Sequence, residues 1–189
     1  MKRLPLALVV AALATPAAAH LPHAEYGSFA AGFSHPLFGL DHVLAMLAVG
    51  LWASLVGGRA IWALPAAFVG AMVAGFALAV AGAPLPMVEP AILVSTIVLG
   101  AVVAVALRPS FAVCAALVAA FGLFHGHAHG AELGGAGALR FGLGFALATA
   151  ALHAAGVGLG LAAGRFGSRA LVRGLGLLTA LGGVVLAVG

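Results

Sequence analysis

Six stretches of this chain are long and apolar enough to cross a lipid bilayer, and that leaves the backbone little choice. A bilayer core about 30 Å thick has no water for N–H and C=O groups, so a segment crossing it must satisfy them internally, as a helix does. The stretches cover roughly residues 36–56, 60–81, 88–107, 110–130, 139–163 and 170–188. The expected fold is therefore all-α, a polytopic membrane bundle of six transmembrane helices. Composition excludes a soluble core: 65% of residues are hydrophobic and only 6% are charged, where a soluble domain is about a quarter charged. The net charge of +4 is no nucleic-acid footprint, because the arginines stand singly at segment ends. The single cysteine, Cys114, lies in an apolar run and reads as a small core residue.

Residues 1–19 read as a signal peptide: Lys2 and Arg3 open it, a short apolar run follows, and Ala17-Ala18-Ala19 fits a cleavage site. The alternative is an uncleaved anchor that adds one span. Residues 20–35 form an extracytoplasmic segment holding His20, His23 and Glu25, and residues 36–189 form the six-helix membrane domain. Arg59, Arg108, Arg165, Arg169 and Arg173 fall in odd-to-even connections, and only Arg140 lies on the other side. The positive-inside rule then places both mature termini outside, in the periplasm of a cell whose inner membrane carries the protein.

Ionisable groups within spans cost roughly 2.5–3.5 kcal/mol each at the centre, so each is a candidate functional residue. His35, Asp41 and His42 open the first stretch, and His125, His127, His129 and Glu132 close the fourth. Residues three, four or seven apart share a helix face. His35, His42 and Met46 are thus expected on one stripe, with Pro36 at a first helical position and Asp41 about 100° round, within reach of a neighbouring helix or as an outer partner. His125, His129 and Glu132 make a second stripe, and His127 points away. The expected topology sets both clusters, and Glu89 at the start of the third stretch, at the outer face. His153 falls nearer the middle of the fifth.

Mixed imidazole and carboxylate donors suit a divalent transition ion and argue against Ca2+ and Cu+. No cysteine cluster offers a closed zinc site. The candidate ligands are His35, Asp41, His42, His125, His129 and Glu132, with His20, His23, Met46, Glu89 and His127 secondary. Moving a dication inward gains about 4.6 kcal/mol per 100 mV, twice the single-charge value, so uptake needs no ATP, and no phosphate-binding loop is present. Gly122, Gly126 and Gly130, and likewise Gly156, Gly160 and Gly164, recur every four residues and predict close helix packing. Three spans per half also permit an inverted repeat, although the two histidine stretches do not align.

His35-Pro36 through Asp41-His42, Ala45-Met46, Ala48-Val49-Gly50 and Trp52 resemble the first-span signature of HupE/UreJ nickel permeases. Phe124-His125-Gly126, Ala128-His129-Gly130 and Glu132 resemble the second signature, and Val88-Glu89-Pro90 with Ser95 a weaker third. The resemblance covers essentially the whole mature chain. It implies six helices, no enzymatic activity, no prosthetic group, and uptake of Ni2+ for hydrogenase or urease maturation. Co2+ or Zn2+ would fit the same donors.

Two other functions are weighed. An intramembrane zinc hydrolase needs three ligands, an open position for water and a base. His35 or His42 with His125 and His129, and Asp41 or Glu132, could supply them, but neither HExxH nor G-x-S-x-G is present. A metal sensor or chaperone subunit would not need six spans. The partners implied are a metal ion and the lipid bilayer, with no nucleic acid.

Overall fold

The structure is a computed structural model that describes residues 28–133 and 137–189. These residues form seven helices and no strand: α1 (Phe29–Phe38), α2 (Leu40–Val56), α3 (Ala60–Val80), α4 (Val88–Ala104), α5 (Phe111–Leu133), α6 (Ala138–Arg165) and α7 (Arg169–Val188). The expected signal peptide, His20 and His23 lie outside the described residues. Helices α3, α5, α6 and α7 are long and apolar enough to cross a bilayer, and α1 with α2 qualifies as one span bent by 85°. Helix α4 has 17 residues, about 25 Å of helix, which is short for the bilayer core. Large side chains such as Leu139, Leu178, Val185 and Trp62 face outward, as a lipid-facing surface requires.

The first span departs from expectation. Pro36 lies inside α1 rather than opening a helix, and the chain breaks at Gly39. Proline supplies no N–H to the turn before it, so the helix is weakened where it bends. Gly39 is extended, with φ −82° and ψ 111°, and the side chains of Asp41 and His42 fold back over it: a Cβ there would sit 3.0 Å from Asp41 Oδ1 and 3.1 Å from His42 Nδ1. Asp41 Oδ1 accepts the His42 backbone N–H at 2.8 Å, satisfying a donor left over at the start of α2. Residues 29–35, expected in the extracytoplasmic segment before the first span, are helical, and the Ser28 hydroxyl caps them by accepting from Ala31 N at 3.0 Å.

Helix ends follow local chemistry. After α3, Ala83 N donates to Leu78 O and Gly82 N to Ala79 O, with Gly82 at φ 79°. This is the Schellman closure, which needs a left-handed residue. The same pair of bonds ends α4, where Ala106 takes φ 53° and stops the helix three residues before the expected Leu107. Leu107 O then accepts the Trp52 indole N–H at 2.8 Å, tying the end of α2 to the α4–α5 connection. Trp52 is fully buried. Trp52→Phe removes that bond and is expected to cost about 0.5–1.5 kcal/mol, read as a lower unfolding midpoint of the detergent-solubilised protein.

Glycine sets the helix spacing. A Cβ added at Gly122 or Gly126 of α5 would strike the carbonyls of Phe68 and Met72 on α3, and one at Gly75 of α3 the carbonyl of Leu123. One at Gly50 of α2 would strike the carbonyl of His153 on α6, and one at Gly156 that of Leu47. Gly160 packs on Ser54, but Gly164 has open space around it, so the second glycine series packs only in part. Helix α1 packs on α6 in the same way, through Gly32 and Gly144.

These contacts repeat along the chain. One shift in numbering carries Leu47 to Leu123, Gly50 to Gly126, Gly100 to Gly176 and Ala104 to Ala180; a shift five residues longer carries Met72 to His153 and Gly75 to Gly156. The contact of Gly50 with His153 becomes that of Gly126 with Met72, and Gly156 with Leu47 becomes Gly75 with Leu123. Gly100 with Ala180 becomes Gly176 with Ala104. Helices α2–α4 and α5–α7 are therefore two copies of one three-helix unit. Counterparts run in opposite directions, since the start of α2 meets the end of α5 through His42 and His129. The units form an inverted repeat whose pseudo-two-fold axis passes through the contact of Gly100 with Gly176. The histidine stretches do not align because they are not counterparts: His42 corresponds to Val118, and His129 to Ala53.

Candidate metal centre

The start of α2 and the end of α5 meet at one end of the bundle, and most of the candidate ligands gather there. His42 is buried, and its Nδ1 lies 2.9 Å from Asp41 Oδ1. A carboxylate only accepts, so Nδ1 carries the proton and Nε2 holds a lone pair. That Nε2 points at His129 Nε2, 2.6 Å away. Two imidazole nitrogens so placed must share either a proton or a cation. A tetrahedral ion with bonds of about 2.0–2.1 Å would hold them about 3.3 Å apart, so a small outward shift of the rings admits it.

Two flanking groups extend the pair. His129 Nδ1 lies 3.6 Å from Glu132 Oε2, and His35 Nε2 lies 3.9 Å from the same oxygen. His35, His129 and Glu132 each offer a ligand atom, all within 4.8 Å of one another. The Glu132 side chain is 63% exposed and that of His35 38%, so these two form the mouth, with the buried pair of His129 and His42 behind them. On the inner side, the His125 ring lies 4.8 Å from that of His42. Ser95 Oγ donates to Ile92 O at 2.6 Å and lies 2.9 Å from His125 Nε2. The hydroxyl proton is committed to the carbonyl, so His125 Nε2 donates and Nδ1 carries the lone pair. That Nδ1 is buried and has no partner among the described residues.

The sequence expectations fare unevenly. His125, His129 and Glu132 do share one face of α5, and His127 turns away, its Nε2 donating to Ala83 O at 2.8 Å. His35 does not share a helical stripe with His42 and Met46, because the break at Gly39 separates them. It reaches the cluster by the bend instead, with its ring 4.5 Å from that of His129. Met46 is fully buried in the apolar core. Glu89 is exposed in the first turn of α4 and makes no polar contact with the histidines among the described residues. Helix α4 contributes Ser95 instead, together with Thr96, whose Oγ1 donates to Asp41 O at 3.3 Å. Hydroxyl residues in mid-helix were the available signal for both.

This geometry, a carboxylate-oriented histidine facing a second histidine across two helices of opposite direction, fits the comparisons with known proteins. The model of the HupE / UreJ protein family matches residues 7–186. The chain belongs to the HupE/UreJ family. Protein HupE of Rhizobium leguminosarum bv. viciae is 44% identical over 195 residues, covering all of both chains. No solved structure matches. HupE/UreJ proteins are transporters rather than enzymes, and the hydrolase alternative finds no support. The chain is a membrane protein of a metal-transporting family.

Proposed function

We propose that this protein is a secondary permease that takes up a divalent transition metal, Ni2+ in the first place, across the inner membrane to supply hydrogenase or urease maturation. The observation that carries this reading is the facing pair of His42 and His129 nitrogens at 2.6 Å, flanked outward by Glu132 and inward by His125. Exposed Glu132 and His35 attract and partly dehydrate the ion. The buried pair then binds it through neutral imidazoles, with Asp41 fixing the His42 tautomer in the manner of a carboxylate behind a metal-bound histidine. Co2+ and Zn2+ suit the same donors.

In this reading the chain crosses the membrane six times, with α1 and α2 as a bent first span and α4 as a short third one. Both termini are periplasmic, the signal peptide is removed, and His20 and His23 capture the ion outside. The inverted repeat supports alternating access, because two copies of one unit in opposite orientation can exchange conformations about a shared axis. The inward membrane potential drives the dication without ATP.

Uptake of radioactive nickel into proteoliposomes tests the function: accumulation well above empty liposomes supports it, and none refutes it. Asp41→Asn keeps the shape but loses the charge that orients His42, and it is expected to lower apparent affinity for nickel by about 10–100-fold. An unchanged half-saturation concentration would remove Asp41 from the site.

A further inference from the structure

We propose that His153 and Thr149 form a second cation station on α6, reached from the pair of His42 and His129 past His125 and the Phe68 ring. The proposal rests on the permease reading. His153 and Thr149 are both fully buried on α6. Among the described residues, neither ring nitrogen of His153 has a hydrogen-bond partner, nor does Thr149 Oγ1. The residues are four apart, so imidazole and hydroxyl share one helix face. Folded proteins leave few buried polar groups unpaired, and three on one face point to a bound water or ion.

The inverted repeat sharpens the point. The counterpart of His153 is Met72, and that of Thr149 is Phe68. At this place in the frame α3 carries apolar side chains, so packing alone does not require polar ones, yet α6 carries an imidazole and a hydroxyl. The two helices pack on each other, and the interface between inverted units is where transporters of this architecture bind their cargo.

A route leads there from the outer site. His125 Nδ1 is buried and unpartnered among the described residues. The Phe68 ring lies 5.5 Å from that of His125 and 5.0 Å from that of His153, edge-on to the latter at 84°. One aromatic side chain thus packs against both imidazoles, and its rotation would change the space between them. Imidazole nitrogen with hydroxyl and water oxygen suits a divalent transition cation, the same class the outer pair takes.

The test separates binding from passage. Wild type, His153→Leu and Thr149→Val are compared by equilibrium nickel binding in detergent and by nickel uptake into proteoliposomes. The expected result for His153→Leu is outer-site affinity within about twofold of wild type and uptake at least about tenfold slower. Thr149→Val keeps the side-chain shape and is expected to slow uptake in the same direction; it carries the test if His153→Leu does not purify as folded protein. Uptake within about twofold of wild type in a folded variant overturns the station. Equal loss of high-affinity binding and uptake in His153→Leu also overturns it, since His153 would then belong to the outer site. Absence of uptake by wild type defeats the permease reading and the station together; normal wild-type uptake with unaffected variants defeats the station alone.

Discussion

Replacing His129 by alanine is expected to bring nickel uptake to the level of empty liposomes, a loss of at least about 100-fold. His129 is the one side chain that touches both parts of the outer site. Its Nε2 faces His42 at 2.6 Å, and its Nδ1 faces Glu132 at 3.6 Å. Truncation breaks the path from the mouth to the buried nitrogens and takes away the group that faces His42 Nε2. His42→Ala removes the other half of the pair and is expected to be equally severe. The double variant should be no worse than either single one, because ligands of one ion act as a unit and their losses do not add. His127→Ala is the control on the same helix: that ring turns to Ala83 O, and uptake should stay within about threefold of wild type once expression is matched. Uptake that survives in His129→Ala would remove the histidine pair from the transport route.

The second large effect is on assembly. Gly126→Ala is expected to destabilise the protein by about 3 kcal/mol or more, the upper end for an overpacked core, because the added methyl meets the Met72 backbone carbonyl rather than a side chain that can move. The helix must shift as a whole, carrying His125 and His129 with it, so the yield of monodisperse protein and the metal site fail together. Gly158→Ala lies on the same kind of helix but has nothing within 4 Å of the new methyl, and replacing a helical glycine there should gain about 0.5–1 kcal/mol. Unfolding midpoints in detergent for the two variants check the pair. Similar midpoints would mean that glycine contacts do not set the spacing of α3 and α5.

Much of this was legible from residues in order. The apolar stretches became helices within a few residues of their expected ends, because backbone in lipid has few alternatives and because arginines and glycines mark where the helices stop. His42, His125, His129 and Glu132 stood out because ionisable groups are rare in this chain. The four-residue spacing of α5 alone placed His125 and His129 on one face. The seven-residue spacing of His35 and His42 implies one face only in an unbroken helix, and the chain breaks between them at Gly39.

The amino-acid sequence by itself determined the helical class, the span candidates and the stock of ligands, since hydropathy and helical period are local properties that neighbours cannot overrule in a bilayer. Only the tertiary structure decided which nitrogens face each other, that Ser95 of α4 lies against His125, that the first span bends by 85°, and that His153 packs on Phe68 with no hydrogen-bond partner among the described residues. It also exposed the inverted repeat, whose copies share glycine contacts but almost no chemistry at the site. Those facts depend on how closely backbones approach across helices far apart in the chain, and a missing side chain records that distance only when its partner is known.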